Sequence, residues 1–190
     1  MKLKRLDLNE VKIIYEEHLC NDFIPAEQKP WIVINILIRM GIYHCYGLYD
    51  EETFLGYAFL CEAKAKASRT ILLDYLVIKR GFRGNGLGTT LLKLLKEELV
   101  AYDYIIGEVE REELAESREE EFIRTKRKDF YLRNGWYPTK LTVNLFGEDL
   151  RIYVWPIQIQ PEESELFHEL NQVYDRMFYE KEVRQNVNLK

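Results

Sequence analysis

The chain has 190 residues, of which 47% are hydrophobic and 13% aromatic, so we expect one globular domain with a full core rather than a disordered chain. The formal net charge of −5 argues against nucleic-acid binding and favours cationic ligands such as amines. No apolar run reaches membrane-spanning length and no signal peptide is recognisable, so we expect no membrane association.

The cysteines and histidines predict neither disulfides nor a metal site. The three cysteines are scattered singly, and this odd number fits a reducing, cytoplasmic compartment. The three histidines are also far apart in sequence and have no ligand spacing. We therefore expect a cytoplasmic protein without a bound metal.

The first third of the chain has the patterns of a strand, two helices and a hairpin. Asn9 is a residue type that caps helices, and proline favours a first helical turn. The predicted elements are a strand over 2–8, helices over 10–20 and from Pro25 or Pro30 to Gly41, hairpin strands over 43–49 and 53–62, and a polar turn over 64–69.

The next part alternates strands with helices and ends in two strands. Its predicted elements are strands over 71–78, 104–110, 141–146 and 150–157, and helices over 89–99 and 111–133, the second with an irregular start. No repeat or linker divides residues 1–160, which we predict to be one domain.

Pro161 separates a tail, residues 161–190, whose apolar residues form one helical stripe. The stripe consists of Leu166, Phe167, Leu170, Val173, Tyr174, Met177 and Phe178. One interpretation is a helix folded onto its own domain. The other is a contact in a homodimer or a cover over the substrate end.

Residues 83–88, Arg-Gly-Asn-Gly-Leu-Gly, connect the buried strand over 71–78 to the leucine-rich helix. Glycine permits a positive φ and a close approach of ligand to backbone. Unpaired N–H groups of the first helical turn, with the helix dipole behind them, favour a phosphate or pyrophosphate, and Arg83 adds charge. The spacing fits neither a P-loop nor a dinucleotide fingerprint. The alternative is a tight strand–helix connection that binds nothing.

A second informative segment, residues 130–136, predicts the end of the following helix. Gly135 can take the left-handed conformation that ends a helix, and burial of Phe130 and Trp136 anchors the turn. Tyr131 is then left near the helix end, with a phenol that is protonated at neutral pH. It is a candidate proton donor or, alternatively, a packing residue.

These segments resemble motifs of the GNAT N-acetyltransferase superfamily, and the resemblance covers about residues 71–136. The Arg-x-x-Gly-x-Gly form of residues 83–88 is similar to that family's acyl-CoA pyrophosphate loop. Residues 76–83 resemble its Leu-x-Val-x-Pro-x-aromatic-Arg run, with Arg80 where proline is usual. Residues 130–136 resemble its Phe-Tyr-x-x-x-Gly-aromatic helix end.

The resemblance implies an α/β fold, a mixed sheet whose central parallel strands splay apart, here with a C-terminal helical extension. It implies acetyl transfer from acetyl-CoA, without a metal, to a primary amine of a small molecule or peptide, with Tyr131 protonating the departing thiolate. The implied cofactor-binding residues are Leu76, Ile78, Arg83, Gly84, Asn85, Gly86, Gly88 and Thr89. The alternative is a non-catalytic module that binds CoA or acyl-CoA.

An amine must lose a proton before it can attack a carbonyl, and a carboxylate can accept that proton. Asp74 has the strand parity of Leu76 and Ile78, so we expect its side chain on the cofactor side. Glu108 lies on the next strand and is the second candidate base. Glu110 lies on the same strand as Glu108. The alternative for these carboxylates is an ion pair, and Arg127 is a plausible partner for one of the two glutamates.

Overall fold

The computed structural model describes residues 1–63, 69–178 and 184–190. Its centre is a mixed sheet of eight strands in the order β1-β2-β3-β4-β5-β7-β6-β8. All neighbouring strands are antiparallel except β4 and β5, which are parallel. The strands are β1 Lys2–Arg5, β2 Tyr43–Asp50, β3 Thr53–Glu62, β4 Thr70–Ile78, β5 Tyr104–Glu110, β6 Tyr137–Leu145, β7 Glu148–Pro156 and β8 Val187–Leu189.

Helices cover both faces of the sheet and divide its core in two. The α-helices are α1 Leu8–Ile14, α2 Cys20–Asp22, α3 Trp31–Arg39, α4 Leu87–Glu98, α5 Arg118–Arg133 and α6 Glu163–Met177. Helices α1, α3 and α6 pack on one side, here called the α6 face, where Leu72 and Val77 of β4 are buried. Helices α4 and α5 pack on the other side, here called the α4 face, against Ile71 and Leu73. The predicted α/β fold with a mixed sheet is thus confirmed.

Helix α1 begins earlier than predicted because Asp7, and not Asn9, is its cap. The carboxylate of Asp7 accepts hydrogen bonds of 2.9 Å from the N–H groups of Asn9 and Glu10. The Glu10 side chain accepts one from the Asp7 N–H, which completes a capping box. After Ile14 the helix continues through a π-helical turn, Tyr15–Leu19, into α2.

The hairpin and the strands β4 and β5 lie where the sequence predicts them, while other boundaries differ. Helix α5 begins at Arg118, after a 3-10 turn over Glu112–Leu114, so the predicted irregular start is confirmed. Strand β6 includes Pro138 and is longer than predicted, with a register shift between Pro138 and Thr142. Strand β8 was not predicted, and residues 64–68 of the predicted polar turn lie outside the described residues.

Helix α6 lies on the sheet with its apolar stripe turned inward. Leu166, Leu170, Val173, Tyr174 and Met177 are buried on the α6 face, whereas Phe167 of the same stripe is exposed. The domain limits 1–160 and 161–190 stay a prediction. Within the three described ranges, no helix has the length and apolar character needed to cross a bilayer.

Candidate active site

The glycine-rich turn presents unpaired backbone N–H groups at the start of α4. Gly84 and Gly86 have φ values of +84° and +76°, and Gly86 is the N-terminal cap residue of the helix. An added Cβ at either position would meet no atom within 4 Å, so conformation rather than crowding requires glycine. Among the described residues, none accepts a hydrogen bond from the N–H groups of residues 84–89. Asn85 and Thr89 therefore lie in a cradle of free donors that suits an anion.

Gly88 contributes an N–H to this cradle, but its missing side chain serves packing. An added Cβ would lie 2.9 Å from the ring of Phe130 on α5. The close approach of α5 to the start of α4 therefore requires glycine here. The sequence predicted Gly88 as a ligand contact, and the structure adds this second reason for it.

Arg83 lies at the mouth of the turn and connects it to two other elements. Its Nε donates a 2.8 Å hydrogen bond to the carbonyl of Ile78, at the end of β4. Its Nη2 lies 3.9 Å from the carboxylate of Asp22 in α2, and about half of the side chain is exposed (54%). Part of the guanidinium is thus already engaged by protein, and its remaining N–H groups are available to an anion.

A gap opens between the two parallel strands β4 and β5. Their pairing ends at Leu73 and Gly107, although both strands continue. The N–H of Lys79 bonds to the carbonyl of Leu55 on β3. Because backbone groups alternate along a strand, those of Leu76 and Ile78 point the other way, into the gap. The predicted splay is therefore present, and the edge of β4 is free there except at the Ile78 carbonyl, which accepts the hydrogen bond from Arg83.

The prediction that Asp74 shares a face with Leu76 and Ile78 was wrong, because β4 contains a bulge. Phe59 of β3 pairs with Tyr75 and Leu60 pairs with Leu73, so Asp74 has no partner and is the extra residue. Asp74 and Tyr75 consequently both turn toward the α6 face. Leu76 and Ile78 pack on the α4 face.

Asp74 is already paired with a buried lysine. Its carboxylate lies 3.4 Å from Nζ of Lys29 and also accepts a hydrogen bond from the hydroxyl of Tyr43. Both charged side chains are less than a tenth exposed, and Lys29 also lies over the rings of Tyr75 and Phe178. Burial alone would lower the pKa of Lys29, but the Asp74 carboxylate raises it well above its usual value. Asp74 thus holds a permanent internal cation.

Glu108 is the first residue of β5 beyond the segment that pairs with β4, and its side chain also turns toward the α6 face. Its Oε1 accepts a 2.5 Å hydrogen bond from the hydroxyl of Tyr174 on α6. Burial raises the pKa of Glu108 to about 7, against the opposing effect of the Tyr174 hydrogen bond; nearby Asp74 raises it further and Lys29 lowers it. A carboxyl group with this pKa both accepts and releases protons near neutrality. Arg127 pairs with Glu110 on the same strand, as predicted for one of the two glutamates, and not with Glu108.

Tyr131 lies on the opposite face of the sheet from Glu108 and Asp74. Gly135, with φ of +83°, ends α5, and the Trp136 N–H bonds back to the Tyr131 carbonyl, as the sequence predicted for this helix end. The Tyr131 ring packs against Phe130 and Trp136 on the α4 face. Burial raises the pKa of Tyr131 to about 12, with Arg127 opposing the shift, so the phenol stays protonated. The predicted acid and the predicted bases therefore lie on opposite faces of the sheet.

Sequence reasoning missed three side chains of this region. Lys29 and Tyr43 surround Asp74, and Tyr174 contacts Glu108. Tyr174 was recognised only as a member of an apolar stripe, and nothing in the local sequence distinguishes Lys29 from a surface lysine. The contacts span 45, 31 and 66 residues, beyond the reach of any local pattern.

Comparison with known proteins identifies the family. The family model for the GNAT acetyltransferase domain matches residues 41–138, slightly more than half of the chain. The chain therefore belongs to the GNAT acetyltransferase family. No curated protein sequence shows a significant match.

Solved structures show the same fold at low sequence identity. A Bacteroides thetaiotaomicron protein assigned to this family has a TM-score of 0.68 and 18% identity, over 94% of this chain and 98% of its own. The aminoglycoside 6'-N-acetyltransferase of Enterococcus faecium has a TM-score of 0.61 and 14% identity, over 85% and 100%. A Bacillus subtilis acetyltransferase in complex with CoA has a TM-score of 0.56 and 11% identity, over 82% and 97%.

Proposed function

We propose that this protein is an acetyl-CoA-dependent N-acetyltransferase that acetylates a primary amine by direct attack. The observation that carries the proposal is the cradle of free N–H groups at residues 84–89, next to the gap beside β4. A pyrophosphate fits the cradle, since Gly84 and Gly86 leave open space where side chains would stand. That a structural relative was solved in complex with CoA is consistent with this ligand.

In this proposal the loop and the free edge of β4 bind the two ends of the co-substrate. The N–H groups of residues 84–89 and the guanidinium of Arg83 hold the pyrophosphate. Both backbone groups of Leu76 and the N–H of Ile78 bond the amides of the pantetheine arm, which would lie in the gap like an added strand. Their N–H groups would also polarise the thioester carbonyl.

Glu108 is our candidate for the general base, in preference to Asp74. A base must have an available carboxylate oxygen and a pKa near the working pH. Glu108 meets both conditions: its pKa is about 7, and among the described residues only Tyr174 donates a hydrogen bond to its carboxylate. Asp74 instead holds Lys29 and Tyr43. We therefore assign Asp74 a supporting electrostatic role.

Tyr131 is our candidate for the general acid. Its hydroxyl makes no hydrogen bond within the described part of the chain, and its pKa of about 12 keeps the proton available. As the C–S bond breaks and the amide bond forms, Tyr131 would protonate the thiolate, while Glu108 takes the proton from the amine. Acid and base would thus act from opposite sides of the gap.

The acceptor class in this proposal is a primary amine of a small molecule or peptide. The net charge of −5 favours a cationic acceptor, and one structural relative is an aminoglycoside N-acetyltransferase. The three cysteines are free, as expected of a protein that works in the cytoplasm. A homodimer remains a further proposal.

The experiment that tests this proposal combines ligand binding with turnover. CoA affinity would be measured by titration calorimetry for the parent and for Gly86→Val, with Gly81→Val as the matched control. An added Cβ at Gly81 also meets nothing within 4 Å, but its φ is not positive. We expect Gly86→Val to lose more than a hundred-fold in affinity and Gly81→Val to retain it. Equal affinity in both folded variants would disprove the phosphate-loop assignment.

Turnover would be followed by thiol release from acetyl-CoA over a panel of polyamines, aminoglycosides and peptides with free α-amines. Acetylation of at least one amine supports the enzyme. If CoA binds tightly and no amine is acetylated, the protein is a CoA-binding module and the catalytic assignment is wrong.

A further inference from the structure

The helix α6 contributes one polar contact to the gap, and the proposed mechanism has not used it. Tyr174 is the only residue of α6 with a hydrogen bond to β4 or β5 among the described residues, and its hydroxyl donates to Oε1 of Glu108. The Tyr174 side chain is fully buried. A buried hydroxyl that donates its one hydrogen bond to a carboxylate fixes the orientation of that carboxylate.

Tyr174 is itself held firmly in place. The guanidinium of Arg184 lies over its ring at 5.9 Å. Arg184 also donates hydrogen bonds to Asp175 and Asn171 of α6 and to the carbonyl of Val187 in β8. The Tyr174 ring therefore lies between the sheet and Arg184, which connects α6 to β8 by hydrogen bonds. Such support is what a positioning side chain needs.

We propose that Tyr174 is a positioning residue for acetyl transfer, holding Oε1 of Glu108 so that Oε2 faces the incoming amine. This inference deepens the proposed function and rests on it. It makes α6 a part of the acceptor end of the site. Tyr174 acts through Glu108 and does not itself exchange a proton with the acceptor, because burial and the neighbouring carboxylate raise its pKa well above 10.

The pKa of Glu108 depends on its burial and on three side chains from other elements, which are Tyr174 on α6, Asp74 on β4 and Lys29 before α3. Tyr43 faces the same cluster through its hydrogen bond to Asp74, and Arg184 faces it through its contact with the Tyr174 ring. Lys29 and Asp74 oppose each other, so the Tyr174 hydrogen bond is the main direct contact that favours the carboxylate. Its loss would raise the pKa of Glu108 and leave the base protonated at neutral pH.

The first test is the pH profile of kcat/KM in Tyr174→Phe, with whichever panel amine the parent acetylates best. A hydrogen bond to a charged group corresponds to about ten- to a hundred-fold in the proton-binding constant. We expect the acidic limb to move up by about one pH unit or more, with KM for acetyl-CoA unchanged. Tyr104→Phe is the control, since it removes a buried hydroxyl from β5, four residues before Glu108. A profile that moves equally in both variants, or in neither, overturns the inference.

Two further measurements separate this inference from the proposed function and from a folding defect. The carboxyl ¹³C resonance of Glu108, identified by its loss in Glu108→Gln, reports its titration without any acceptor. It should titrate higher in Tyr174→Phe, and an unmoved midpoint overturns the inference even if turnover is observed. In a Glu108→Gln background, Tyr174→Phe should lower the rate less than two-fold, whereas a further large loss would show that Tyr174 acts elsewhere.

If Tyr174→Phe does not fold, Arg184→Gln provides the same test. It removes the guanidinium that holds the Tyr174 ring, and a weaker Tyr174 hydrogen bond raises the pKa of Glu108. A smaller upward shift of the Glu108 titration is expected, and no shift counts against the inference. If the parent protein acetylates no amine, the proposed function is wrong, and so is the positioning role that rests on it.

Discussion

Replacing Lys29 by methionine should destabilise the protein severely, because it leaves the charge of Asp74 buried and unpaired. The two side chains are 9% and 8% exposed, so water screens neither of them well. Breaking a buried ion pair by removing one partner costs about 3–5 kcal/mol. Methionine keeps the length and the apolar stem of lysine, so the loss of stability would result from the unpaired charge rather than from a cavity.

The matched control is the double variant Lys29→Met with Asp74→Asn, which removes both charges and keeps both shapes. Replacing a buried ion pair by neutral groups is often nearly neutral in stability. We therefore expect the double variant to recover most of the loss. Urea unfolding would give the free energy of unfolding, with the slope m checked for constancy. A single variant within about 1 kcal/mol of the parent would refute the reasoning, since that is the range of exposed pairs.

Three further predictions concern the site. Tyr131→Phe should lower kcat by about 10²–10⁴-fold and leave CoA affinity unchanged, as expected for the loss of a general acid. The kcat of the control variant Tyr153→Phe, at a ring that neighbours Tyr131, should stay within a few-fold of the parent, and equal losses of kcat would make Tyr131 a packing residue. Glu108→Gln should be more stable than the parent at pH 8, by at most about 3.5 kcal/mol, and equally stable at pH 4. The reason is that a carboxyl group whose pKa is raised to about 7 on folding destabilises the folded state as pH rises from the unfolded pKa through 7, and parallel stability curves would contradict this. Gly88→Val should lower the melting temperature more than Gly81→Val does, since only its Cβ meets the Phe130 ring at 2.9 Å, and equal melting temperatures would argue against that contact.

The local features of the fold and of the site could be predicted from the sequence because short segments determine them. The glycine-rich turn and the helix end at Gly135 depend on backbone conformations that glycine alone adopts readily. The cap of α1 was also readable: Glu10 stands three residues after Asp7, as a capping box requires, and three residues after Asn9 there is only Lys12.

The orientation of Asp74 could not be predicted, because the bulge in β4 is a property of its pairing with β3. Strand parity gives the wrong face wherever one extra residue is inserted. The partners of the Asp74 and Glu108 carboxylates could not be predicted from the sequence for a related reason. Lys29 and Tyr174 reach them only after helices far apart in the chain have packed on the sheet. The three-residue strand β8 is too short to leave an alternating pattern.

The hydrogen bond from Tyr174 to Glu108 has a consequence for the order in which the protein matures during synthesis. The residues of the proposed phosphate cradle all belong to one continuous β4–α4 segment. The Glu108 carboxylate finds its donor 66 residues later. A nascent chain that has not yet released α6 therefore contains every residue of the proposed co-substrate loop, while the proposed proton acceptor still lacks its hydrogen-bond donor. We expect such a chain to bind CoA before it can acetylate anything.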